Sequence, residues 1–336
     1  MNVLRPGKRT VCFPQKPVIG GWASVAGKKE SEGPLADWFD VKCTDTKLRQ
    51  ESWEQAETRM QQLALERLLQ KTGLSPADPD VIFSGDLLNQ CVGSSFALRN
   101  TGLACLGLYG ACSTMAEGLL LGAAAVNAGY ADRAVAMTSS HFASSERQYR
   151  FPLAYGGQRT PTAQWTVTGA GAVLLAKEGT GPRVSGATVG TIEDKGITDA
   201  NNMGAAMAWA AYRTIRTHLE ATGTGPEDYD RIVTGDLGKL GSDMVREFFE
   251  RDGLKLGSVY DDCGLLIFDR QGQDVHCGGS GCGCSAAVLC GYLLGRMAKG
   301  DWKRLLFCGT GALLSPTTVQ QKQSIPAVCH AVEIER

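Results

Sequence analysis

The sequence predicts an α/β protein built from two copies of one strand–turn–helix plan, with two mixed, largely parallel sheets around central helices. Three observations lead there. Apolar strands alternate with helical segments along the chain, a pattern that makes parallel sheets with helical crossovers. The helical stretch over 118–128 is apolar on every side, so it needs cover on every side, and two sheets sharing a middle helical layer supply it. Three segments also recur in the same order in the second half. Asp80-Val-Ile-Phe-Ser-Gly-Asp-Leu is answered by Asp230-Arg-Ile-Val-Thr-Gly-Asp-Leu. Ala111-Cys112-Ser113-Thr is answered by Gly283-Cys284-Ser285-Ala, and Gly129-Tyr-Ala-Asp-Arg by Gly300-Asp-Trp-Lys-Arg. The last two correspondences share nearly one offset, and the first needs an insertion in the second half. The halves divide into 1–179, which carries Cys112, and 180–336.

The elements follow in order. Residues 11–50 are punctuated by Gly and Pro, with a first strand at Pro17-Val-Ile-Gly-Gly-Trp and then an extended loop through Asp37-Trp-Phe-Asp. Over 52–70, Ala56, Met60, Leu63, Ala64 and Leu68 recur at helical spacing, and Lys71-Thr-Gly-Leu-Ser-Pro ends that helix. Residues 80–88 read as a buried strand ending at Gly85-Asp86. A second apolar strand over 103–108 runs into Tyr109-Gly-Ala-Cys112, and a long Ala-, Leu- and Gly-rich helix follows to about 128. A turn at Gly129-Tyr-Ala-Asp precedes strands at 133–139 and 166–177. The second half repeats this grammar, with a helix over 207–219.

Composition narrows the function classes. The 336 residues carry 34 Lys plus Arg against 35 Asp plus Glu, a net charge of -1 that disfavours bulk attraction to nucleic acid or anionic membranes. Apolar residues at 43% exclude a disordered chain. The first ten residues hold Arg5, Lys8 and Arg9 but no apolar core of a secretory signal. The most apolar stretch, 118–137, is interrupted by Asn127, Asp132 and Arg133, which suits a buried helix and strand better than a membrane span. Twelve cysteines in such a chain are expected as reduced thiols, and Cys105, Cys290 and Cys308 should pack as small hydrophobes. Cys277, Cys282, Cys284 and Cys290 lack the paired spacing of a zinc site, and the acidic residues show no EF-hand spacing.

The most chemically suggestive segment is Tyr109-Gly-Ala-Cys112-Ser113-Thr. A strand delivers Cys112 to a tight turn and a helix starts at once. A thiol there feels the positive end of the helix dipole, the setting of an activated nucleophile. A small packing residue at a crowded junction is the alternative.

Gly110-Ala-Cys112-Ser-Thr resembles the nucleophile turn of the thiolase and β-ketoacyl synthase superfamily, and the duplication fits that αβαβα fold. The chain resembles most closely the stage V sporulation protein AD family. The resemblance rests on Ser84-Gly-Asp-Leu-Leu-Asn-Gln, Thr138-Ser-Ser-His141, Glu146-Arg-Gln, Tyr155-Gly-Gly-Gln, Thr234-Gly-Asp-Leu, Gly278-Gly-Ser-Gly-Cys and Thr310-Gly-Ala-Leu-Leu-Ser-Pro. It implies a thiolase-like protein that binds dipicolinic acid (pyridine-2,6-dicarboxylate), as such or as its calcium chelate, for uptake into the developing spore. It also implies work beside the other proteins of the spore dipicolinate uptake complex, the SpoVA complex. The location it implies is the forespore or spore, cytosolic or peripheral at the inner spore membrane. Thiolase-like folds often form homodimers.

The resemblance also exposes a gap. A condensing enzyme sets a base and an oxyanion donor from its second half beside the cysteine. Here the relevant strand ends Val233-Thr234-Gly235-Asp236, and the glycine-rich turn offers Gly279-Ser280, with Ser280 at the Asn-like place. His276 reaches that turn only after a register shift. A carboxylate at Asp236, if close, would oppose thiolate formation. The expectation is therefore binding without catalysis, with Cys112 as a vestigial nucleophile and no cofactor or metal of the protein's own. An active acyltransferase using Cys112 and a scaffold of the uptake complex are the rivals. A planar dicarboxylate calls for Arg or N–H donors and a flat wall. Cys112, Ser113, His141, Arg147, Tyr149, Gly279 and Ser280 are the expected ligand residues, with Arg150, Arg159 and Tyr155 as further candidates by type. The backbone N–H groups after Cys112 form a second expected anion site.

Overall fold

The structure is a computed structural model and describes residues 4–149 and 159–336. Five strands of the first half form β1 (Val18–Ala26), β2 (Val81–Gly85), β3 (Cys105–Leu108), β4 (Arg133–Ser140) and β5 (Gly169–Ala176). Five of the second form β6 (Arg183–Thr188), β7 (Arg231–Thr234), β8 (Tyr260–Asp262), β9 (Arg304–Ala312) and β10 (Ala327–Glu335). The first set is ordered β3-β2-β4-β5-β1 and the second β8-β7-β9-β10-β6. In both sets the first three strands are parallel and the next two pairings antiparallel.

The repeat extends to details. Each first strand bulges once against its partner, near Ile19/Gly21 in one half and Glu333/Ile334 in the other. Asp80 accepts backbone N–H groups from Asp132 and Arg133 at 2.8 and 2.9 Å. Asp230 accepts the matching pair from Lys303 and Arg304 at 2.7 and 2.9 Å. The sequence correspondences thus mark a duplicated unit.

One expectation changes. The two sheets are joined into one path of ten strands, because the first strands of the halves meet edge to edge at the pair Val18–Arg183. Short strands Thr10–Cys12 and Val41–Lys42 add to it, while Trp165–Thr166 and Gly279–Ser280 form a separate pair.

The helices relevant here are α1 (Trp53–Thr72), α2 (Thr114–Asn127), α3 (Phe142–Tyr149), α4 (Met203–Thr222), α5 (Gly238–Arg251), α6 (Cys282–Val288) and α7 (Leu294–Lys299). A π-helical turn, Leu289–Leu293, links α6 to α7. A capping box between Ser52 and Gln55 starts α1, and left-handed Gly73 ends it. Three apolar cores separate the layers. Val135 and Met137 of β4 face α1 through Met60, Ala64 and Leu68. Ala134 and Ala136 point the other way, toward Leu119 and Ala123 of α2. In the second half Leu305 and Phe307 meet the same central core, and Leu306 and Cys308 face α4. Alternation of side chains along a strand makes both faces apolar, so these strands read as continuous apolar runs. Helix α2 packs against strands of both sheets, which explains why it carries so little polar surface.

All twelve cysteines are free thiols. Cys290 and Cys308 are buried as expected, but Cys105 is exposed. Among the described residues strand β3 pairs with β2 alone and forms an edge, and Cys105 and Leu106 are exposed there. Among the described residues no helix is long and apolar enough to cross a membrane.

Leu119 is fully buried where α2 meets the central core. Leu119→Ala should cost about 2–5 kcal/mol through transfer and cavity terms, read as a lower urea midpoint.

Candidate functional site

Four pieces of chain converge on Cys112. The first is the turn after β3. Ala111 adopts a left-handed φ of 52°, unusual for a residue with a Cβ, and a short 3-10 turn leads into α2. Ser113 donates from both its N–H and its Oγ to the Gly110 carbonyl, at 3.1 and 2.7 Å. Thr114 Oγ1 donates to Ala111 at 2.7 Å. The second piece is the end of β7, which delivers Asp236. The third is the glycine-rich turn at Gly279-Ser280-Gly281, where Gly281 takes a φ of 98°. The fourth is α3, with Ser145, Glu146 and Tyr149 on one face.

They enclose a cavity of about 240 Å³. Cys112 and Ser280 lie at one wall, with Ala312 at the end of β9 and Leu314 beyond it. Ser145, Glu146 and Tyr149 form a second wall, and Asn201 and Met203 a third.

Asp236 is fully buried. Its Oδ1 accepts from Thr310 Oγ1 at 2.8 Å, and its Oδ2 accepts from the Gly281 N–H at 2.8 Å and from Ser280 Oγ at 3.2 Å. The Cys112 thiol lies beside this carboxylate, close enough to feel its charge. Burial pushes the Cys112 thiol well above its ordinary range, and the charge of Asp236 pushes it further. Burial raises Asp236 too, against the hydrogen bonds that favour its ionised form. Another buried acid, Asp262, accepts from Thr234 Oγ1 and from the N–H groups of Leu237 and Gly238, and burial raises it to about 7.

A helix N-terminus offers about half a positive charge. Burial and the neighbouring carboxylate act against it and favour the protonated thiol, the direction expected for a carboxylate close to Cys112.

Several expected ligand residues also fall elsewhere. His141 is buried away from the cavity. Its Nδ1 accepts from the Ala143 N–H at 3.1 Å, so Nε2 carries the proton and donates to the Thr46 carbonyl at 2.8 Å. It caps the start of α3. Arg147 is exposed and paired with Glu54. At 100° per residue, Ser145 and Tyr149 share a face of α3 while Arg147 projects from the opposite one. Ser113 spends its side chain and N–H on Gly110, which also removes it from the expected anion site at the start of α2. Gly279 does not line the cavity. It pairs with Trp165 and accepts from Gln164 Nε2 at 2.8 Å, which seats Ser280. Arg159 is paired with Asp274 at 2.8 Å and lies over the Trp165 ring. His276 sits outside too, between Thr160 and Asp274. Arg150 and Tyr155 lie outside the described residues. Of the expected set, Cys112, Tyr149 and Ser280 line the cavity.

Ser145, Asn201, Met203 and Thr166 escaped the sequence reading. Two signals were available. Ser145 lies one helical turn before Tyr149, and Ala312 and Leu314 belong to the Thr310-Gly-Ala-Leu-Leu-Ser-Pro segment. Cys277, Cys282 and Cys290 each donate to a different carbonyl, of Pro161, Ser139 and Ala172.

A duplicated five-layer α/β body, with a cysteine at a strand-to-helix turn facing elements of the second half, defines the thiolase-type condensing-enzyme fold. Solved structures of that class agree. The chain superposes on 3-oxoacyl-[acyl-carrier-protein] synthase III from Aquifex aeolicus VF5 with a TM-score of 0.57 at 13% identity, covering 95% of this chain and 100% of that one. It superposes on OleA from Xanthomonas campestris, in a single-residue variant, with a TM-score of 0.61 at 15% identity, covering 97% and 99%. Within that class the chain belongs to the stage V sporulation protein AD family, whose family model matches residues 7–335. It is 43% identical over 330 residues to Stage V sporulation protein AD of Bacillus subtilis (strain 168), covering 98% of this chain and 97% of that protein.

The protonated thiol leads to a chemical expectation. Iodoacetamide at pH 8 should label exposed Cys105 well before Cys112, read by peptide mass spectrometry. Asp236→Asn removes the like charge and should speed Cys112 labelling about tenfold, one pKa unit of thiolate. Equal rates in the two proteins would show that Asp236 does not hold the proton.

Proposed function

We propose that this sporulation-family protein is a non-catalytic binder of dipicolinic acid, using the cavity over Cys112. The observation that carries the reading is the Cys112–Asp236 contact. Asp236 stands at the end of β7, where the condensing-enzyme resemblance calls for a histidine, and a carboxylate there disfavours the thiolate that acyl transfer needs. None of the four histidines lines the cavity. At about 240 Å³ the space lies just under the pockets of drug-sized ligands, which start near 300 Å³, and suits one small planar molecule. Tyr149 offers a flat side, and Leu87, Met203 and Leu314 offer apolar contact.

The family supports dipicolinate as the ligand. Among the described residues no Lys or Arg lines the cavity, so neutral donors, or calcium within the chelate, meet the two carboxylates. The protein then works in the forespore beside the other proteins of the dipicolinate uptake complex, with any membrane attachment peripheral. A homodimer is supported by the unpaired edge of β3, where Leu106 is 50% and Tyr109 52% exposed. Leu106→Asp should then halve the mass seen by sedimentation.

Calorimetry should give saturable binding of dipicolinate, with and without calcium. Ala312→Phe, which fills the cavity, should weaken that binding at least tenfold. A scaffold with an idle cavity would give no saturable heat. Incubation with acetyl-CoA should leave Cys112 unmodified by mass spectrometry, and a thioester adduct would favour the acyltransferase reading.

A further inference from the structure

The cavity's hydroxyl protons are nearly all committed to the protein. Ser280 Oγ donates to Asp236 at 3.2 Å, and the Cys112 thiol, a weak donor, lies beside the same carboxylate. Tyr149 donates its phenol proton to the Leu87 carbonyl at 2.8 Å. Thr166 Oγ1 donates to Glu146 Oε1 at 3.1 Å. Each of these three hydroxyls therefore presents lone pairs, not a proton, to whatever occupies the space.

Ser145 differs. It is 2% exposed, it lines the cavity, and its Oγ has no hydrogen-bond partner among the described residues. Its neighbour Ser144 shows how the same helix satisfies a serine when the structure needs it to, donating to Glu57 Oε2 at 2.6 Å. A buried hydroxyl without a partner carries a desolvation cost that nothing within the protein returns. Across the cavity Asn201 is fixed by its backbone, whose N–H donates to Asp199 Oδ1 at 2.9 Å. No hydrogen bond engages its side-chain amide among the described residues, and it lines the same space.

We infer that Ser145 Oγ and the Asn201 amide are the donors that hold a carboxylate of the bound ligand, one from each half of the fold. The assignment rests on the binding reading above and deepens it. It explains how a wall without a cation among the described residues receives an anion: hydrogen bonds to a carboxylate are charge-assisted and stronger than neutral ones. It also sets orientation, with the ligand carboxylate held at Ser145 and Asn201.

Calorimetry with dipicolinate on the full chain, Ser145→Ala, Asn201→Ala and Ala312→Phe tests this, with thermal melts of the free proteins alongside. Ser145→Ala should weaken binding on the order of ten- to a hundredfold, the worth of one charge-assisted hydrogen bond. Its melting temperature without ligand should stay level or rise, because the substitution removes an unpaired buried hydroxyl. Asn201→Ala should also weaken binding. Unchanged affinity in Ser145→Ala, with binding still blocked by Ala312→Phe, overturns the donor assignment and leaves the cavity reading intact. A fall in melting temperature together with affinity overturns it too, since a structural hydroxyl behaves that way. No saturable heat from the unaltered chain overturns the cavity reading, and the donors with it.

Discussion

The contact between Cys112 and Asp236 organises this molecule's chemistry. It joins a turn of the first half to a strand end of the second, across the seam where the halves meet. The carboxylate takes hydrogen bonds from Thr310, Gly281 and Ser280, and the thiol lies beside it. Buried polar groups cost least when every lone pair is used, and this acid comes close to that limit. The arrangement reverses the logic of a nucleophile turn. The strand, the sharp turn and the helix that would activate a thiol are kept, while burial and a like charge hold its proton in place.

The duplication shows how such a site diverges without change of fold. Asp86 ends β2 as Asp236 ends β7. Asp86 accepts from the N–H and Oγ of Ser94 and from the Leu88 N–H, and so fixes the start of the short helix Val92–Leu98. Asp236 faces the partner half and meets Cys112. The same aspartate at the same place in the repeat is a helix anchor in one half and the partner of a thiol in the other. The surroundings decide between the two roles.

Much of the fold was legible. The strand-to-glycine turns, the helix over 52–70 and the repeated segments all report local periodicity and punctuation, which sequence displays directly. Cys105 was misplaced because an edge strand and a central strand can carry the same apolar residues, and only pairing tells them apart. The site was less legible. His141 and Arg147 stood in a segment rich in ligand-like groups, yet one caps α3 and the other projects from its far side. Ser145, on the cavity face of the same helix, drew no notice, because a serine between two other polar residues has no distinctive pattern.

The sequence by itself determined the class of fold, its duplication, the family, and the suspicion that Cys112 lacks a base. These follow from order and spacing along the chain. Only the tertiary structure decided that Asp236 stands beside the thiol, that the two sheets join at Val18 and Arg183, and which face of α3 looks into the cavity. The reason is physical. A thiol's proton affinity and a hydroxyl's lack of a partner depend on atoms brought together from segments more than a hundred residues apart, and one-dimensional spacing does not encode that proximity.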